Sequence, residues 1–238
     1  MRAFKAAFSA GYDCVEVDVV LSADGVPVVC HVRDLQALLE LSGDRRSGIQ
    51  AGDLALQEIS ALRWESGDGV ETARDVIEAV RDHVRTVILD VKTYNGPDGS
   101  PTDEAAVSEA VVELVRDTAC LNCLVWAKSD RIVERVKRLL PGQQVGYVVM
   151  NETRAARELG LHLPLRLGSA EVVAVHHEMV DGDLLAELRG AGKLVHGWTA
   201  NEPRMMRHLL ESGVDAIVTS HPQRLSKAIS NLKMRCVR

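Results

Sequence analysis

Nothing in these 238 residues approaches the roughly 20 consecutive apolar residues that a membrane-spanning helix requires. Residues 1 to 20 also lack the basic, then apolar, then small-residue order of a signal peptide, and the sequence assigns no compartment. There is no basic block. With a net charge of -6 and a pI near 5.8, the chain gives no electrostatic reason to expect nucleic acid or an anionic membrane surface as partner, although local positive charge can still bind phosphate. Low-complexity tracts and interdomain linkers are missing as well. The cysteines, five in number, do not resemble a disulfide framework, and a reducing compartment is the default expectation. Cys120 and Cys123 have the spacing of half a zinc site or a redox pair, but no second pair accompanies them, so a structural role is expected.

What is present gathers first in residues 11 to 31, GYDCVEVDVVLSADGVPVVCH. Glu16 and Asp18 stand two apart in a valine-rich run, so on a strand both side chains leave the same face. Ionised carboxylates taken out of water need a counter-charge, hydrogen bonds or a metal, and two at this spacing repel unless something cationic lies between them. A divalent cation is the simplest answer. Asp24-Gly25 is a preferred central pair for a two-residue hairpin turn. Such a turn sets Ala23 opposite Val26 and, counting outward, Asp18 opposite His31; a bulge would shift the register by one and turn His31 away. Pro27 confines the second arm to a sheet edge or a short extension.

This segment resembles the front of the glycerophosphodiester phosphodiesterase family, whose members carry Glu-x-Asp on an early barrel strand, a Lys-Asp-Gly-like turn and a histidine after a short apolar strand. Three later stretches agree with it. TVILDVK at 86 to 92 resembles the family strand ending in acidic residue, apolar residue, lysine; HGWTANEP at 196 to 203 resembles its Trp-Thr-x-Asn signature; GVDAIVTSHP at 213 to 222 resembles its closing segment. The resemblance spans almost the whole chain in the family's order. Departures also stand out. The family opens with a strand ending in His-Arg-Gly, whereas this chain starts inside the helix expected next, so the domain is expected to be incomplete at its amino end, to lack the first catalytic histidine and to be impaired. His31-Val32 replaces the usual His-Asp, and Asp90 replaces glutamate, a shortening that a hard cation tolerates. The loop patterns resemble plant members more than bacterial ones.

Alternation along the chain fits that fold. Strands are expected at 13–20, 86–92, 123–128, 144–150, 171–177, 193–199 and 215–219, separated by stretches with apolar residues at helical spacing. Strand, helix, strand at this interval means parallel crossovers. Seven strands and a leading helix at 2–10 give an α/β fold, a TIM-type (β/α)8 barrel lacking its first strand, as one domain over residues 1–238. Residues 40 to 70 read as a long irregular insertion with one short helix near 54–64.

The resemblance implies metal-assisted hydrolysis of a small-molecule glycerophosphodiester to glycerol 3-phosphate and an alcohol. Glu16, Asp18 and Asp90 would hold Ca²⁺ or Mg²⁺, Lys92 would contact phosphate, and His31 would carry protons. Trp198, and one of the adjacent His176 and His177 with His177 preferred, would line the substrate pocket; two neighbours on a strand cannot both face it. The Met205-Met206 pair belongs to helix packing. Two other readings stay open: a non-catalytic phosphate-binding barrel, and a metal-independent sugar-phosphate isomerase or aldolase.

Overall fold

The computed structural model describes residues 1–44, 46, 48–94 and 101–236, the last four as backbone only. Two compact units emerge, Met1–Gln143 and Gln144–Arg238. In the first, helix α1 (Arg2–Ser9) leads into strands β1 (Cys14–Leu21) and β2 (Pro27–Val29), helices α2 (Val32–Leu41), α3 (Leu56–Ala61) and α4 (Ala73–Val80), strand β3 (Thr86–Val91), helix α5 (Glu104–Asp117), strand β4 (Cys123–Ala127) and helix α6 (Asp130–Leu139). Its strands lie in the order β2-β1-β3-β4. β1, β3 and β4 run parallel, and β2 pairs antiparallel with β1, where Pro27 requires an edge. Val15, Val17 and Val19 bury one face of β1, while Glu16 and Asp18 lie half-buried on the other. Helices start where their caps put them: the side chains of Thr72, Asp103 and Ser129 accept first-turn backbone N–H groups.

The second unit runs β5 (Gln144–Val149), α7 (Arg154–Glu158), β6 (Val172–His176), α8 (Gly182–Gly190), β7 (Leu194–Trp198), α9 (Pro203–Ser212), β8 (Ala216–Ile217) and α10 (Pro222–Cys236). All four strands are parallel, in the order β5-β6-β7-β8. Every residue of β6 is buried, the pattern of a strand covered on both faces. At Gly197 a Cβ would stand 2.6 Å from a Leu209 methyl, so α9 rests directly on the backbone of β7. Both units repeat parallel strand and helix, the α/β architecture of a TIM-type barrel. Among the described residues no helix is long and apolar enough to cross a membrane.

The seven expected strands form within one or two residues of their expected bounds. Three local expectations need correction. First, the hairpin turn is three residues, Ala23-Asp24-Gly25, because Ser22 rather than Ala23 closes it: the Ser22 N–H donates to Val26 O at 3.0 Å and the Val26 N–H donates to Ser22 Oγ at 3.0 Å. Gly25 takes the left-handed conformation at φ 78°. The pairing is Val19 with Val29 and Val20 with Val28, so Asp18 falls opposite Cys30 and not His31. Second, the expected helices omit α2 (Val32–Leu41), which leads into the 40–70 stretch; that stretch holds its one expected short helix as α3 (Leu56–Ala61). α2 buries Leu35, Leu38 and Leu39, and together with Val20, Val28, Leu54 and Ile59 they build a small core beneath the hairpin. Third, Cys120 and Cys123 are joined in a disulfide. Ala119, at φ 46°, ends α5 with a left-handed turn that brings the two Cα atoms to 5.4 Å. Cys14 and Cys30 are free, and Cys236 lies outside the described side chains.

Gly25→Ala is expected to lower stability by about 1 kcal/mol through its positive φ, and Gly25→Asn by less. Thermal unfolding followed by circular dichroism measures both.

Candidate metal centre

Parallel pairing places the acidic residues together. In the β1–β3 register Asp18 is the partner of Asp90 and Glu16 that of Ile88, so all three carboxylates share one face, Asp90 next to the last residue of β3 and Glu16 and Asp18 midway along β1. One oxygen from each of Glu16, Asp18 and Asp90 lies within 4.8 Å of the others. Lys92, just past the end of β3, reaches back into the cluster. Its Nζ is 2.7 Å from Asp18 Oδ1 and also bonds Asp90 Oδ2. The lysine thus takes one oxygen of each aspartate. Asp90 Oδ1 is buried and has no hydrogen bond of regular geometry, though the indole of Trp126, its neighbour in the β3–β4 register, helps to hold the carboxylate's charge.

Three carboxylates against one ammonium leave a surplus of negative charge, and the ionisation equilibria record it. Burial, then repulsion from Asp18 and Asp90, pushes the Glu16 carboxyl up to about 8 despite the pull of Lys92. Burial also raises Asp90, with Lys92 opposing it. Burial on its own would lower Lys92, but Asp90 and Asp18 outweigh it and hold the ammonium more firmly than usual. Three carboxylate oxygens at mutual distances that one ion can span form a cluster that could hold a metal ion, and such hard donors suit a hard cation. The residues present therefore fit such an ion.

His31 lies elsewhere in the hydrogen-bond scheme. It is the N-cap of α2, its Nδ1 accepting the Arg33 backbone N–H at 3.2 Å, so the neutral ring carries its proton on Nε2. In the second unit, Trp198 ends β7 and donates through Nε1 to Ala174 O at 2.9 Å. Its ring meets His176 edge-on at 5.2 Å. His176 is buried at the end of β6, with Nε2 3.0 Å from Glu152 Oε1, and burial lowers its pKa. His177 opens the following 3-10 turn, its ring 4.3 Å from that of His176. Of the two histidines it is His176 that touches Trp198. Glu152 was not legible in the sequence, because a loop glutamate carries no periodic signal.

The comparisons with known proteins agree with one another. A family model described as the glycerophosphoryl diester phosphodiesterase family matches residues 1–224. "Glycerophosphodiester phosphodiesterase GDPD4" of Arabidopsis thaliana is 33% identical over 244 residues, covering 100% of this chain and 70% of that protein. A solved structure from Silicibacter pomeroyi whose description carries the same family name superposes with a TM-score of 0.82 at 24% identity, over 98% of this chain and 88% of that one. A phosphodiesterase of Oleispira antarctica, in complex with its product sn-glycerol-3-phosphate, gives a TM-score of 0.76 at 23% identity, over 96% and 90%. At these identities the solved structures establish the fold.

Without a divalent cation, the raised Glu16 makes stability fall as pH rises. The folded chain keeps a proton that the unfolded chain releases above about 4.5, so stability drops from there until about 8 and then levels. The slope is at most about 1.4 kcal/mol per pH unit. Urea denaturation in chelator across pH 5 to 9 is expected to show this decline, and Glu16→Gln to flatten it. Lys92→Met is expected to cost about 3 kcal/mol at the alkaline end and less at the acid end, where the carboxyls hold protons.

Proposed function

The chain belongs to the glycerophosphoryl diester phosphodiesterase family, enzymes of the phosphoric diester hydrolase class, and we propose that it cleaves glycerophosphodiesters to glycerol 3-phosphate and an alcohol at the Glu16, Asp18 and Asp90 cluster. The observation that carries this reading is the convergence of the three carboxylates from two neighbouring strands. A Ca²⁺ or Mg²⁺ held by Glu16, Asp18 and Asp90 would neutralise charge on the phosphate and could coordinate the glycerol hydroxyls. The protein's own groups do the rest. Glu16 gives up its proton when the cluster takes a cation, and Asp18 and Asp90 offer the oxygens that Lys92 leaves free. Lys92, fixed by both aspartates, presents a positive charge to a phosphate oxygen. His31 offers its Nε2 proton to an oxygen of the substrate while its Nδ1 stays tied to the helix cap.

Trp198 stands at the carboxyl end of β7 and His177 just beyond that of β6, the end at which barrels of this type build their sites, and we assign both to the substrate. The geometry adds His176 beside Trp198. The product found with the Oleispira antarctica relative supports glycerol 3-phosphate as the released phosphate ester. We read the two units as one domain because the family model runs through both. The isomerase or aldolase reading draws no support from these relatives.

Release of glycerol 3-phosphate from glycerophosphocholine is expected to stop with chelator and to return with Ca²⁺ or Mg²⁺. Asp18→Asn and Asp90→Asn are each expected to lower kcat/KM by about 100-fold or more. Release that ignores chelator overturns the metal assignment, and saturable binding of glycerophosphocholine without release supports a non-catalytic barrel.

A further inference from the structure

Strand β4 brings to the acidic cluster a residue that the chemistry above does not use. In the β3–β4 register Ile88 is the partner of Leu124 and Asp90 that of Trp126, so Leu124 and Trp126 lie on the face of the sheet that carries the acids, while Cys123, Val125 and Ala127 lie on the other. Trp126 is the last residue but one of β4, as Asp90 is of β3, so the two stand at the same level of the sheet. Trp126 is 2% exposed, and Asp90 Oδ1 is shut off from solvent.

A tryptophan in that place acts on the carboxylate in two opposed ways. Its apolar rings exclude water, which disfavours the charge. Its indole N–H, a donor with no acceptor capacity, favours the charge, and the Trp126 side chain lowers the Asp90 carboxyl against the rise that burial causes. Leucine or phenylalanine would do only the first. Lys92 already holds Asp90 Oδ2, so Oδ1 is the oxygen left for the indole. A carboxylate oxygen has two lone pairs, so an Oδ1 that accepts the indole N–H keeps one for a further partner. With Lys92 on one oxygen and Trp126 on the other, the carboxylate is held from both sides against rotation about χ2, and an Asp90 oxygen stays within 4.8 Å of those of Glu16 and Asp18. We propose that Trp126 is a positioning residue for the cation site, its indole N–H fixing the Asp90 carboxylate in the orientation that a divalent cation needs. Outer hydrogen bonds of this kind strengthen metal binding by about ten- to a hundredfold. The role rests on the reading of Asp90 as a ligand and goes beyond it by naming what holds that ligand in place.

Two measurements test it. The first needs no cation. In chelator, the nitrogen–proton correlation spectrum shows the indole groups of Trp64, Trp126 and Trp198, and the Trp126→Phe protein identifies the Trp126 signal by its loss. That signal is expected to exchange slowly with solvent and to move upfield in Asp90→Asn, with the signals of Trp64 and Trp198 in place. The second is calorimetric titration of Ca²⁺ and of Mg²⁺ into the chelator-treated wild type and Trp126→Phe. The variant keeps an aromatic ring in the core, and it is expected to bind the cation about tenfold more weakly. Its cleavage of glycerophosphocholine is expected to recover when the cation is raised by the same factor, which a merely destabilised core would not do. An indole signal that ignores Asp90→Asn, or a Trp126→Phe protein that binds the cation as tightly as the wild type, overturns the role of Trp126 alone. A wild-type chain that binds neither cation overturns that role together with the metal assignment on which it rests.

Discussion

Three carboxylates on one face of two adjacent strands, with a single lysine to balance them, are the constraint around which the first unit is organised. Such a cluster is a cost to the bare fold. Glu16 is driven to hold a proton near neutral pH, and Asp90 is pushed in the same direction by its burial. A cation held by the free carboxylate oxygens would offset that cost, since the lysine already uses one oxygen of each aspartate. The rest of the first unit supplies rigidity. The buried valines on the far face of β1, and β3 and β4 beside it, fix the backbone that carries the acids.

The same reasoning separates what each element contributes. Parallel pairing without offset brings Asp18 beside Asp90, and a one-residue slip would send one of them to the opposite face. Lys92 follows the strand rather than ending it, which lets its long side chain fold back over both aspartates. In the second unit the carboxyl ends of β6 and β7 gather His176 and Trp198, and Glu152 from the loop after β5 anchors the histidine. Trp198 is oriented by a hydrogen bond to the backbone of β6 and not by packing alone.

Most of this was legible from the chain. Valine runs bounded by turn residues gave the strands, and Glu16 and Asp18 two apart gave the shared face, because side-chain alternation on a strand leaves no choice. Pairing of Asp90 with them needed the family order, since nothing local says which strand lies next to which. The hairpin register was misread by one residue: Asp-Gly signals a turn, but the serine before it has a hydroxyl that closes a three-residue loop, a competition the dipeptide rule does not weigh. The leucines at 35, 38 and 39 carry a helical spacing that was legible in the chain, whereas the capping role of His31 is a local hydrogen bond that its spacing does not announce. The disulfide was not recoverable, because Cys-x-x-Cys spacing alone does not say that the chain folds back on itself.

The account's central claim is that Glu16, Asp18 and Asp90 bind one divalent cation in place of a proton. Isothermal titration of Ca²⁺ into the chelator-treated protein, in buffers of different ionisation heat at neutral pH, measures binding and proton release together. The account predicts one saturable site, release of close to one proton per ion, loss of the site in Asp90→Asn, and loss of the proton signal in Glu16→Gln. Binding of unchanged strength in Asp90→Asn, or no saturable site in the wild-type chain, would contradict it.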